Sequence, residues 1–150
     1  MAELRELPYN QFNFLVDLGG DYKDKDVHAG FQEVSGLGVE VALAEYRNGN
    51  ELDNAPRKVP GLYKVPDVTF KRGVIGAVDL FNWLKETREG KQAAKRTVTI
   101  QLLSEERKPV LVWKLTNAFP MKYTAPGFNG KGSDVAIEEL VVACERIDME

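Results

Sequence analysis

The sequence predicts a mainly β protein: an antiparallel sandwich or barrel of two packed sheets, with one flanking α-helix and a long extended loop. Three observations carry this prediction. Short runs of alternating apolar and polar residues recur along the chain, about seven in all, with Gly, Pro or charged turns between them. Only one stretch shows the i, i+3, i+4, i+7 spacing of an amphipathic helix. Strands and helices do not alternate, which excludes a doubly wound parallel sheet.

The first strand is Gln11–Leu18, with Phe12, Phe14, Val16 and Leu18 on one face and Gln11, Asn13 and Asp17 on the other. Gly19-Gly20-Asp21 ends it, and the charged run Asp21–Asp26 reads as an exposed turn. Val27–Ser35 is a weaker strand broken by Gly36-Leu37-Gly38, where glycines allow a sharp bend. Val39–Tyr46 follows, with Val39, Val41 and Leu43 on one face. From Arg47 to Lys64 neither period is present. A structureless connection of that length is uncommon inside a domain and is either a solvated loop or a functional one, such as an arm that orders on a neighbouring molecule. Val68 and Phe70 mark a short strand closed by Arg72-Gly73.

Ala77, Leu80, Phe81 and Leu84 form the apolar stripe of the helix, Trp83 points away from it, and Gly90 sits at the C-terminal cap position. Trp83 is open to two readings, the core or a subunit contact. Thr97–Leu102 and Leu111–Thr116 are two strands joined by the charged turn Glu105–Pro109, which makes them a hairpin. Ala118–Gly132 is a second irregular stretch. The last strand, Asp134–Ile147, changes parity, and Glu138-Glu139 is expected to mark a bulge.

At 150 residues the expectation is a single domain spanning 1–150, burying roughly 68–70% of the surface its unfolded chain exposes. The formal charge of −3 argues against a protein that grips nucleic acid through its phosphates. Cys144 is the only cysteine, so no intramolecular disulfide and no cysteine zinc cluster are available, and its apolar run reads as buried. The N-terminus has no apolar signal region, and no apolar run approaches the ~20 residues of a membrane span. Synthesis in a cytoplasm without a membrane anchor is the expectation, with exit by lysis or assembly into a particle.

Catalytic chemistry finds no support. His28 is the single histidine, flanked by charge and without a Ser or Cys nucleophile motif. Metal binding by several imidazoles is therefore impossible, and no calcium-loop pattern occurs. Gly127–Ser133 resembles a phosphate cradle, but its Lys131 is followed by Gly and the run leads into a strand, so it reads as a turn. Adjacent acids Glu105-Glu106 and Glu138-Glu139 point to opposite faces of a strand and form no dyad. No catalytic residue, cofactor or metal site is predicted. Long loops and unprotected strand edges point instead to assembly with copies of the same chain.

Gly30–Val41, Glu45–Glu51, Pro60–Lys64, Val68–Gly73, Asp79–Leu84, Val98–Leu102, Trp113–Tyr123 and Ala136–Leu140 together resemble the tail tube proteins of contractile-tailed bacteriophages and the inner tube proteins of phage-tail-like contractile injection systems. The resemblance covers nearly the whole chain, in order. It implies two packed antiparallel sheets with a helix on their flank. It also implies homohexameric rings that stack into a rigid hollow tube inside a contractile sheath, in a phage tail or an injection particle. Sheath contraction would drive the tube through a target envelope, and DNA or protein effectors would pass along its lumen. The further partners implied are the sheath protein and the baseplate or tube-initiating proteins. The loop would be the subunit or ring-stacking arm, with Arg47, Asn48, Asn50, Glu51, Leu52, Asp53, Asn54, Arg57, Lys58 and Tyr63 as its contact residues. Lys85 and Arg88 would face the sheath.

Two other readings stand beside this one. A tube-initiating or baseplate-proximal paralogue shares the fold. A monomeric ligand-binding β-barrel would use the loop as a lid over an apolar interior.

Overall fold

A computed structural model describes residues 4–19 and 30–150. Its elements are β1 (Phe14–Asp17), β2 (Glu33–Ser35), β3 (Glu40–Tyr46), β4 (Arg57–Lys64), β5 (Val68–Gly73), α1 (Asp79–Arg88), a 3-10 turn (Gln92–Ala94), β6 (Arg96–Leu103), β7 (Pro109–Thr124), β8 (Ile137–Ala143) and β9 (Arg146–Met149). Every strand pairing among the described residues is antiparallel. The main sheet runs β1-β6-β7-β8-β5-β2, with β9 also beside β7, while β3 and β4 form a separate two-stranded sheet. His28, the turn Asp21–Asp26 and the start of the strand expected from Val27 lie outside the described residues.

The long strand β7 makes one sheet into two layers. Its first half pairs with β6 and β9 and its second half with β8. Sixteen residues are too long for one layer of a small twisted sheet, so the strand bends. The bend falls at Asn117, whose φ of 54° lies in the left-handed region that Asn tolerates. Its Nδ2 donates to Glu145 Oε2 at 2.8 Å. Opposite it, Cys144 and Glu145 interrupt the line from β8 to β9, and the Glu145 N–H donates to the Thr116 carbonyl at 3.1 Å. The expected bulge at Glu138-Glu139 is therefore corrected. β8 alternates without a slip, with Glu138, Leu140 and Val142 buried, and parity changes only at Cys144–Glu145. Glu138 points in, on the same face as Leu140 and Val142.

The core lies between the layers: Val68 and Phe70 of β5, Val98 and Ile100 of β6, Leu115 and Ala118 of β7, and Leu140 and Val142 of β8. α1 closes one side, packing on β7. Its buried residues are Leu80 and Trp83, whereas Phe81 is 45% exposed and Ala77 precedes the helix. The predicted stripe thus needs rotation. Trp83 belongs to the core, because its indole N–H finds the Ala94 carbonyl at 2.6 Å and Arg96 stacks on its ring at 4.8 Å. Gly90, at φ 76°, ends the helix as expected. Its N–H donates to the Thr87 carbonyl and that of Lys91 to the Glu86 carbonyl, the paired bonds of a Schellman cap. The second irregular stretch is shorter than expected, since β7 extends through Thr124.

Candidate assembly interface

The stretch Arg47–Lys64 is not structureless. Arg57–Lys64 forms β4, which pairs with β3 along Glu40↔Lys64, Val41↔Tyr63, Leu43↔Pro60, Ala44↔Val59, Glu45↔Lys58 and Tyr46↔Arg57. Pro60 and Gly61 hid this strand from periodicity. Proline is tolerated because β4 has a partner on one side only, so its missing N–H breaks no second ladder. The register slips between Val41 and Leu43, where a side chain at Gly61 would come within 3.1 Å of the Ala42 carbonyl. Opposite charges stand at facing register positions in Glu40/Lys64 and Glu45/Lys58.

The tip, residues 47–56, is held by its own side chains. Arg47 reaches across it, donating from Nε to the Asp53 carbonyl at 3.0 Å and from Nη2 to the Glu51 carbonyl at 2.9 Å. Asn48 donates to Glu51 Oε1 at 3.2 Å and accepts from the Tyr46 hydroxyl. Arg57 pairs with Glu51 at 3.4 Å, and Asp53 Oδ1 accepts the Ala55 N–H at 3.0 Å. Of the residues assigned to the arm, Arg47, Asn48, Glu51, Asp53 and Arg57 thus shape the tip. Asn50, Leu52 and Asn54 are exposed on it, and Lys58 is exposed on β4. Tyr63 sits at the base, where its hydroxyl accepts the Ile147 N–H at 3.0 Å and donates to the Ile147 carbonyl at 3.3 Å. Lys85 and Arg88 are exposed on α1, away from the hairpin in sequence and in pairing.

The hairpin carries far more apolar surface than a solvated loop. Val39, Val41, Leu43, Tyr46, Leu52, Val59 and Leu62 are each half or more exposed, and all eight residues of β4 are exposed. Exposed apolar side chains gathered on one element in this way are the mark of a contact site.

The body holds a feature that alternation should have exposed. Arg72 is 1% exposed and donates to Glu138 Oε1 from Nε at 2.9 Å and from Nη2 at 2.7 Å. It also reaches both Asp79 oxygens, at 2.7 and 3.1 Å. The Tyr123 hydroxyl donates to Glu138 Oε2 at 2.6 Å. Burial alone would lower the Arg72 pKa, but its bonds to Asp79 and Glu138 outweigh that and raise it. Burial and the Glu138 bond push the Tyr123 phenol up to about 12. The cluster ties β5, α1, β7 and β8 together. The signal was parity: Arg72 follows Val68 and Phe70 on the inward face, and Glu138 precedes Leu140 and Val142 on theirs. Among the described residues no group of three metal-ligating side chains converges, and no helix is long and apolar enough to cross a membrane.

Two bent antiparallel layers, a flanking helix and a hairpin standing off the sheet make up the architecture of tube proteins. Residues 10–148 match the profile of the family described as T4-like virus tail tube protein gp19, and the chain belongs to that family. The chain is 29% identical to a chain of an extracellular contractile injection system, in the PVC sheath–tube complex in its extended state. That match has a TM-score of 0.79 and covers 97% of this chain and 93% of the other. A chain of the PVC sheath/tube terminator in the extended state is 28% identical, with a TM-score of 0.79 and coverage of 97% and 98%. Hcp1 from Flavobacterium johnsoniae shares the fold, at 15% identity, a TM-score of 0.55 and coverage of 92% and 94%. No curated protein sequence matches. The chain is a tail tube protein of the kind found in phage tails and contractile injection systems.

Proposed function

We propose that the chain is a non-enzymatic structural subunit, a single tail-tube domain over 1–150. In this reading it forms homohexameric rings that stack into the rigid inner tube of a contractile particle. The observation that carries this reading is the apolar β3–β4 hairpin, which pairs with no other strand among the described residues. A family of tube proteins supplies the partner by symmetry: another copy. Heterologous contacts between copies close into rings and, repeated along an axis, extend as tubes. Arg47, Asn48, Asn50, Glu51, Leu52, Asp53, Asn54, Arg57, Lys58 and Tyr63 form the subunit and ring-stacking contact. Lys85 and Arg88 on the exposed face of α1 meet the sheath, and the baseplate starts the tube. Sheath contraction drives the tube through a target envelope, and DNA or protein passes along its lumen. The subunit is made in a bacterial cytoplasm and assembled there into the particle.

Negative-stain electron microscopy with sedimentation tests this directly. Rings or stacked tubes are the expected result. A compact monomer at every concentration, with or without sheath and baseplate proteins, overturns the reading.

A further inference from the structure

Asn-Gly occurs twice in the sequence, at Asn48-Gly49 and at Asn129-Gly130. In both, glycine leaves its own amide nitrogen unshielded by a side chain. The two asparagine carboxamides have different surroundings.

Asn48 has both ends of its carboxamide engaged by other side chains. Its Oδ1 accepts from the Tyr46 hydroxyl, and its Nδ2 donates to Glu51 Oε1 at 3.2 Å. Any reaction that moves Cγ and expels Nδ2 gives up both bonds.

Asn129 lies in the turn Gly127–Ser133 between β7 and β8, and it is folded back on its own main chain. Its Oδ1 accepts the Lys131 N–H at 3.1 Å, and its main-chain carbonyl accepts the Gly132 N–H at 3.0 Å. This is an Asx turn inside a β-turn. The ring closed by the Oδ1 bond contains both Asn129 Cγ and the Gly130 nitrogen. The turn therefore holds the carbon near the nitrogen, and attack across that ring is intramolecular. The Lys131 N–H is aimed at the oxygen that becomes negative as nitrogen adds to Cγ, which is where a donor stabilises a tetrahedral oxyanion. Nothing crowds the place. Residues 127–136 are all exposed, Phe128 stands out at 89%, and a Cβ added at Gly130 would meet no atom within 4 Å.

We propose that Asn129 is a self-modification site, at which the Gly130 amide nitrogen closes on Asn129 Cγ and the side-chain amide becomes an acid. Hydroxide or water takes the Gly130 N–H proton as the N–Cγ bond forms. Nδ2 gains a proton and leaves as ammonia. Water then opens the cyclic imide. Attack at Cγ breaks the new bond and leaves an aspartyl residue. Attack at the main-chain carbonyl breaks the original peptide bond and leaves an isoaspartyl link, which runs through Cγ. The net change is amide plus water to acid plus ammonia, with no oxidation or reduction. It adds a negative charge to a chain of formal charge −3. The isoaspartyl product also lengthens the main chain between β7 and β8 by one methylene. The inference goes beyond the tube reading and does not depend on it.

The test keeps the full-length protein folded in mildly alkaline buffer and follows amide-to-acid conversion at each asparagine by peptide mapping and mass spectrometry. Asn129 is expected to convert about tenfold or more faster than Asn48, because conversion at Asn48 gives up two hydrogen bonds. In urea the two rates are expected to converge, since the turn and the Tyr46 and Glu51 partners are gone. Both aspartyl and isoaspartyl peptides are expected at position 129. Gly130→Ala shields the nitrogen with a methyl group at an open position whose backbone lies outside the left-handed region. It is expected to slow conversion at Asn129 severalfold and to leave Asn48 unchanged. Equal rates at the two sites in the folded protein, an unchanged rate in Gly130→Ala, or an aspartyl product alone overturns the proposal. None of these outcomes bears on tube formation, which electron microscopy reads separately.

Discussion

The body and the hairpin of this protein are built by opposite rules. In the body, the residues most at odds with burial, Arg72, Asp79 and Glu138, are packed inside and satisfy one another at 2.7–3.1 Å. In the hairpin, the residues most at odds with water, Leu52 and Leu62, stand outside at 102% and 82% exposure. The body pairs its buried charges within the chain, whereas the hairpin leaves its apolar side chains uncovered. A charge taken out of water demands its partner within the chain, because leaving it alone costs several kcal/mol. An apolar side chain left in water costs less per residue, and that cost is recovered when a partner covers it.

Substitutions graded by their effect on stability test this contrast. The largest effect is expected for Arg72→Met, which leaves two buried carboxylates without their cation. A loss of about 3–5 kcal/mol in chemical denaturation is expected, and a loss below about 1 kcal/mol would break the claim that the cluster organises the body. Next comes Tyr123→Phe, which removes the donor from Glu138 Oε2 and is expected to cost about 1–3 kcal/mol.

The same residue makes a pH prediction. Its phenol titrates near 10.0 in the unfolded chain and is held up to about 12 in the folded one. The neutral form is therefore favoured by folding. Its contribution is fully present below pH 10 and is lost as pH rises towards 12. Tyr123→Phe is expected to flatten that part of the alkaline decline, measured as the denaturation midpoint against pH.

Tyr63→Phe is expected to be smaller again, about 0.5–1.5 kcal/mol. Its signature is local: the Ile147 amide loses its acceptor and exchanges its hydrogen faster. Unchanged protection at Ile147 would show that the hairpin is held by something else.

The smallest effect on stability is expected from removing Asn48–Arg57. Glu45 faces Lys58, so the deletion leaves Tyr46-Arg47 as a two-residue connection across the shortened hairpin. Monomer stability is expected to stay within about 0.5 kcal/mol of the wild type, while tubes disappear from electron micrographs. Tubes that persist would remove the hairpin from the interface. A large fall in stability would make it part of the body after all.

The contrast also explains what could be read in advance. Alternation in Phe14–Asp17, Val98–Leu102 and Leu111–Thr116 was legible, because a half-buried strand must repeat every two residues. So was the helix with its glycine cap at Gly90, because the capping geometry is local. Three things were misplaced, each for a physical reason. Trp83 was turned out of the helix stripe, since only the fold brings the Ala94 carbonyl to its N–H. Glu138 was read as a slip, since only the fold brings Arg72 to it from sixty-six residues away. β4 was read as loop, since Pro60 and Gly61 carry no strand signal and only pairing with β3 makes them one. Of the β3–β4 hairpin, the position of its tip in the chain was legible, because residues 47–56 carry neither strand nor helix period. The division into residues that shape the tip and residues that face outward was not.

By itself, then, the sequence determined the fold class and the place of the long polar connection after β3, because periodicity and turn chemistry act between near neighbours. Tertiary structure alone decided which charges are buried, where β7 folds one sheet into two layers, and how the hairpin is tied to β9. Those outcomes depend on contacts between residues far apart in the chain, which no local pattern encodes.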